Sequence, residues 1–142
     1  MSDEEIALDL AELLGATEAS VQQLTLYIPD KDKDGNQQKD LNKWIYEAQE
    51  VLTAIGGGTT SMPPADGTWL NPDSNETIRE ETKMIFTYIE PDRFEANLAR
   101  LREFLHRFGR ETNQGEVAFE FDGAFYRIKE FDRLEKQEKG DR

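Results

Sequence analysis

Residues 21–56 read VQQLTLYIPDKDKDGNQQKDLNKWIYEAQEVLTAIG, and the spacing of the apolar residues changes once within them. Leu24, Leu26 and Ile28 alternate with Gln23, Thr25 and Tyr27, which is the period of a β-strand, and Pro29 ends it. Both faces of this strand carry apolar or aromatic groups near its end, as a central strand requires. From Leu41 onward, Leu41, Trp44, Ile45, Ala48, Val51, Leu52 and Ile55 fall on one helical stripe, and Gly56 stops the helix. A helix with one apolar face needs a sheet face to cover, so the rest of the chain must supply more strands.

Downstream, Gly56-Gly57-Gly58-Thr59-Thr60-Ser61-Met62-Pro63-Pro64-Ala65-Asp66-Gly67 is expected to be a loop, because Gly and Pro at this density neither continue a helix nor sit inside a sheet. Thr68-Trp69-Leu70 resumes a strand, Asn71 to Asn75 turns, and a second strand lies within Thr77 to Ile89. Pro91 opens a helix whose stripe is Phe94, Leu98, Leu101, Leu105 and Phe108, with Gly109 as its expected end. Val117, Phe119 and Phe121 alternate, Asp122-Gly123 is a two-residue hairpin signal, and Phe125 to Ile128 returns. Upstream, Ser2 with Glu5 forms a capping box for a helix running to Gly15, whose apolar face is Ile6, Leu10, Leu13 and Leu14.

The order α, β, α, β, β, α, β, β contains βαββαβ. The fold class is therefore α+β: a ferredoxin-like split βαβ antiparallel sheet with two helices on one face, an extra N-terminal helix and a C-terminal β-hairpin. Residues 1–19 are assigned to the acidic helix, 20–129 to the domain, and 130–142 to a charged tail or frayed helix. The opposite sheet face carries Tyr27, Trp69 and Tyr88, and burying such aromatics calls for a homodimer or a covering element.

The 142 residues include 30 Asp+Glu against 17 Lys+Arg, for a formal net charge of -13, and no cysteine. The absence of cysteine excludes disulfides, thiolate metal sites and a thiol nucleophile. No apolar run approaches the ~18 residues of a membrane span, and Met1-Ser2-Asp3-Glu4-Glu5 is unlike a signal peptide, so a soluble cytoplasmic protein is expected. So much negative charge disfavours general nucleic-acid binding. The charge is uneven, however: residues 93–110 carry five Arg and one His against two Glu.

Three constellations carry possible chemistry. Asp30, Asp32 and Asp34, followed by Gly35, match the opening of a calcium loop, but Leu41 stands where its bidentate Glu belongs. The plainer reading is an Asp-Gly turn, with weak calcium binding as the alternative; no other cofactor is expected. The glycine run at 56–58 lacks the lysine and the following helix of a phosphate loop, and reads as a helix cap with a loop able to cover a pocket. His106, Arg110 and Glu111 are the candidate catalytic groups, with His106 expected on a solvated flank of its helix. Trp69, Tyr88, Arg110, Glu111 and Gln114 are the candidate ligand-binding residues, and no transition-metal site is expected. A Ser-His-Asp arrangement has no supporting motif.

Two stretches, Ile55-Gly56-Gly57-Gly58-Thr59-Thr60 through Gly67-Thr68-Trp69-Leu70 and Gly109 to Phe119, resemble a family of small uncharacterised bacterial single-domain proteins. The likeness runs from about Leu24 to Ile128. It implies a bacterial origin and a compact single domain, and no particular chemistry.

Together these readings favour a non-enzymatic ligand-binding or regulatory protein, dimeric, whose ligand is a small anion meeting the basic helix. A small enzyme with a pocket under the 56–67 loop, using Arg110, Glu111 and His106, is the second reading. The third is an acidic inhibitor of a basic protein such as a nuclease.

Overall fold

The computed structural model describes residues 9–17 and 20–133. In chain order the elements are α1 (Leu10–Leu14), β1 (Gln23–Pro29), α2 (Leu41–Gly56), β2 (Thr60–Ser61), β3 (Ala65–Asn71), β4 (Glu76–Tyr88), α3 (Pro91–Ala96), α4 (Leu98–Glu111), β5 (Val117–Phe121) and β6 (Ala124–Ile128). The strands form one antiparallel sheet in which β1 lies between β4 and β5, β6 flanks β5, and both β2 and β3 pair with β4. Strands β3, β4, β1 and β5 thus stand in the order of the split βαβ arrangement, with β6 added by the hairpin.

Register decides which side chains are inside. Leu26 faces Ile85 on one side and Phe119 on the other, so the alternation read from β1 continues across three strands. Leu24, Leu26, Ile28 and Ile85, each no more than 1% exposed, meet Trp44, Val51, Leu52 and Ile55 of α2 and Phe104, Leu105 and Phe108 of α4. Phe104 and Phe108 pack around Trp44 with ring centroids 6.1 and 5.4 Å away. The hairpin turn places Asp122 at φ 53° and Gly123 at φ 86°, the left-handed pair that a two-residue connection needs.

Several boundaries differ from expectation. The stretch 56–67 is not a free loop: Thr60 pairs with Phe86, and Ala65 already pairs with Thr82. Its prolines, Pro63 and Pro64, separate β2 from β3 at the sheet edge, where a missing N–H is tolerated. The second helical region breaks at Asn97, and α4 continues past Gly109 to Glu111. Gly109 is there for space: a Cβ on it would collide with the ring of Phe131. Phe131 and Asp132, assigned by sequence to the charged tail, dock on α4, where Arg102 donates to both Asp132 carboxylate oxygens at 2.8 and 2.9 Å. No helix forms over 129–133. In α1 the capping side chain is Asp9, which accepts the Glu12 N–H at 3.2 Å, and Leu10, Leu13 and Leu14 remain exposed. The expected Ser2–Glu5 capping box lies outside the described residues.

Two consequences can be measured. Phe104→Ala leaves a cavity at the centre of the core and should cost about 3–5 kcal/mol in urea unfolding. Gly109→Ala should expel Phe131, so that amide exchange at 130–133 accelerates while exchange in β1 stays unchanged.

Candidate functional site

Among the described residues no helix covers the face of the sheet opposite α2 and α4, and this face holds a cavity. Twist lifts β3 at one edge and the β5–β6 hairpin at the other, leaving a cavity of about 280 Å³ above β1. Tyr27 and Pro29 of β1, Glu80 and Thr82 of β4 and Ala118 of β5 form its floor; Trp69 and Phe125 wall it from opposite sides. Pairing explains this convergence. Gly67 opposes Glu80 and Trp69 opposes Ile78, so the indole leans over the glutamate. On the other flank Glu120 opposes both Thr25 and Phe125, bringing the Phe125 ring to 5.9 Å from Tyr27, edge to face.

The rim is built from two stretches far apart in sequence. Residues 113–116 lie against the Asp30–Asn36 turn: Lys33 N–H donates to Asn113 O at 3.1 Å, and the Asn113 amide donates to Asp32 and Asp34 at 3.3 and 3.0 Å. Buried Gln114 donates to Lys31 O at 3.2 Å, and Asn71 donates to Lys33 O at 2.7 Å, which fastens the end of β3 to the same turn. Gly115 completes the fit, since a Cβ there would lie 2.8 Å from the edge of Trp69. Asp32 also accepts the N–H groups of Asp34 and Asn36, both at 2.9 Å. Burial alone would raise its pKa, but the bonds from Asn36, Asn113 and Asp34 outweigh that and hold it low. Asp30 accepts from Glu81 N–H and from Gln37. The three aspartates considered for calcium therefore build a turn, and among the described residues no group of three or more His, Cys, Asp or Glu is placed to hold a metal ion.

Two ionisable groups in the cavity are strongly perturbed. Glu80 is pushed up to about 7, first by burial and then by the neighbouring charge of Asp30, with Lys31 acting weakly the other way. Its Oε1 is buried and has no hydrogen-bond partner. Tyr27 is pushed up to about 12 by burial and by Glu120, whose Oε1 accepts the phenol proton at 2.8 Å. Among the described residues no Lys or Arg lines the cavity. Its chemistry is aromatic surface combined with carboxylates, one of which sits between its two protonation states near neutral pH.

Of the residues singled out from sequence, Trp69 and Gln114 meet in this cavity. Tyr88 shares the open face but lies at the far end of β4, with its ring edge-on to Phe86 at 6.3 Å. Arg110 and Glu111 sit on the helix side, where the Arg110 guanidinium donates to Asp132 O at 2.6 Å. His106 is buried, not solvated. Its Nδ1 accepts the Asp132 N–H at 2.8 Å, and burial lowers its pKa. Phe131 covers this flank of α4, which a helical wheel of α4 alone leaves bare. Of the three candidate catalytic residues, His106 and Arg110 bond to Asp132, while Glu111 lies 4.0 Å from the Arg110 guanidinium. Two cavity residues that sequence reading passed over are Glu80 and Phe125. Alternation places each on the open face once the register is known, and nothing local distinguishes them.

No protein-family model and no curated protein matches the sequence. Two solved structures share the fold. A phage SAM lyase in complex with S-methyl-5'-thioadenosine aligns with a TM-score of 0.58 at 10% identity, covering 80% of this chain and 92% of that one. A phage SAM lyase in its apo state aligns with a TM-score of 0.56 at 8% identity, covering 82% and 95%. The likeness is one of α+β architecture. Among the described residues no helix is long and apolar enough to cross a membrane.

The raised pKa of Glu80 means that the folded protein prefers this carboxyl protonated. Stability from this group is therefore lost as pH rises from the ordinary carboxylate range through about 7. Glu80→Gln should melt with the wild type near pH 5 and above it at pH 8; equal melting at both values would show Glu80 to be unperturbed.

Proposed function

We propose that this chain binds a small organic ligand in the cavity on the open face of its sheet, and that the ligand joins a flat ring to a positive centre. The observation that carries this reading is the pairing of Trp69, Tyr27 and Phe125 with Glu80, whose buried Oε1 has no hydrogen-bond partner, in a cleft that no Lys or Arg lines among the described residues. Aromatic faces attract rings and cations alike, and a half-buried carboxylate gains a partner when a cation enters. The volume of about 280 Å³ stands at the small end of ligand clefts, suited to a molecule of roughly nucleoside size. An anion, the ligand first suggested by the basic helix, would meet the carboxylates of Glu80 and Glu116 here.

The shared fold with a phage SAM lyase seen with S-methyl-5'-thioadenosine supports the choice of probe. An adenosyl sulfonium has the ring and the charge; the thioether has the ring alone. A second reading is favoured by Glu80, whose pKa of about 7 suits proton transfer to or from the bound ligand. In that reading the chain is a small enzyme and Glu80 its acid–base group.

Calorimetric titration tests the proposal. S-adenosylmethionine should bind more tightly than S-methyl-5'-thioadenosine. Trp69→Ala should weaken both by tenfold or more, and Glu80→Gln should remove the preference for the charged ligand. Heat-free titrations of both ligands at millimolar concentration would overturn it. Incubation followed by mass spectrometry separates binding from turnover.

A further inference from the structure

Among the described residues the sheet ends at β6 with no further strand beside it, and we propose that this edge pairs with the β6 of a second copy, antiparallel and centred on Tyr126. The hairpin register determines which backbone groups are free. Phe121 pairs with Ala124 across a two-residue turn, and Phe119 pairs with Tyr126. In such a hairpin these are the hydrogen-bonded pairs, so the N–H and C=O groups of the intervening residues, Phe125 and Arg127, point outward. A second β6 related by a two-fold axis through Tyr126 sets each Phe125 opposite the Arg127 of the other copy, and the outward groups then make four hydrogen bonds.

Side chains agree with this register. On the helix side the strand presents Ala124, Tyr126 and Ile128. Tyr126 already stacks on Phe119 at 5.0 Å, so pairing extends one aromatic row across both copies. On the open side the guanidinium of Arg127 in the partner copy meets the ring of Phe125, which is 59% exposed. Beyond that ring lies Glu120, paired with Phe125 within the same sheet, so the incoming cation finds a carboxylate. Within its own copy Arg127 is held only by Glu116 at 3.9 Å, half exposed, and is free to reorient. Residues 124–129 contain Arg127 and Lys129 and no acidic residue, in a chain of net charge -13. The strand also lacks the proline, bulge and inward charge that normally blunt an edge, whereas Pro63 and Pro64 interrupt the opposite one.

Because Phe125 walls the cavity, the partner copy completes the site: its Arg127 packs on the outer face of that ring and holds it in place. This interface differs from the open-face dimer expected from sequence, and it leaves the cavity mouth clear.

Sedimentation velocity of the full chain at tens of micromolar should show a dimer. Arg127→Pro removes one outward N–H and the cation without touching a bond to β5, and should yield a folded monomer by circular dichroism. Tyr126→Cys should form a disulfide dimer under mild oxidation, because residues facing each other across the axis in a non-hydrogen-bonded pair approach to about 4.5 Å between Cα atoms. Phe125→Cys, two residues out of register with itself, should not. A monomer at 100 µM, equal crosslinking by both cysteine variants, or a dimer retained by folded Arg127→Pro would overturn the proposal. If Arg127→Pro does not fold, the cysteine pair decides.

Discussion

Leu26 is held between Ile85 and Phe119, and that register fixes both faces of the sheet at once. A shift of one residue would turn Leu24, Leu26 and Ile28 toward solvent and drive Tyr27 into the helices. The same pairing that buries these three side chains to within 1% exposure stands Tyr27 upright in the middle of the open face. There its hydroxyl reaches Glu120 and its ring meets Phe125. Core and cavity are thus two readings of one strand, and β1 can hold its position because it is paired on both edges.

The rim of the cavity depends on a different kind of bond. The Asp30–Asn36 turn and residues 113–116 are joined by the Asn113 amide, the Gln114 amide and the Lys33 N–H, and Asn71 ties β3 to the same turn. Asn113 adopts φ 56°, a left-handed conformation that asparagine tolerates better than most residues. Carboxylates that accept several N–H bonds are stabilised in their charged form, which is why these aspartates suit a structural turn.

Charge is distributed by function within this small molecule. Three of the four arginines of α4 are tied to carboxylates or backbone: Arg107 bonds Glu47 and Glu103 and lies over Trp44, while Arg102 and Arg110 clasp Asp132 and its backbone. The cavity keeps two carboxylates, of which Glu116 has Arg127 at 3.9 Å and Glu80 has a buried Oε1 with no hydrogen-bond partner. None of these pairings is visible in the run of arginines in residues 93–110. A count of charges along a helix does not reveal that a later segment folds back to neutralise them.

Periodicity by itself determined a strand within Val21–Ile28, the helix from Leu41 to Gly56, the Asp122-Gly123 turn and the α+β order, because those signals are local and repeat every two or 3.6 residues. It also marked Trp69 and Gln114, the first as an aromatic outside any helical stripe and the second through its polar loop. Tertiary structure alone decided that Glu80 and Tyr27 line one cavity, that His106 is buried under Phe131, and that the glycine- and proline-rich stretch forms a sheet edge. Each of those depends on which strand lies beside which and in what register. That is a balance of contacts between residues scores of positions apart, to which no local pattern responds.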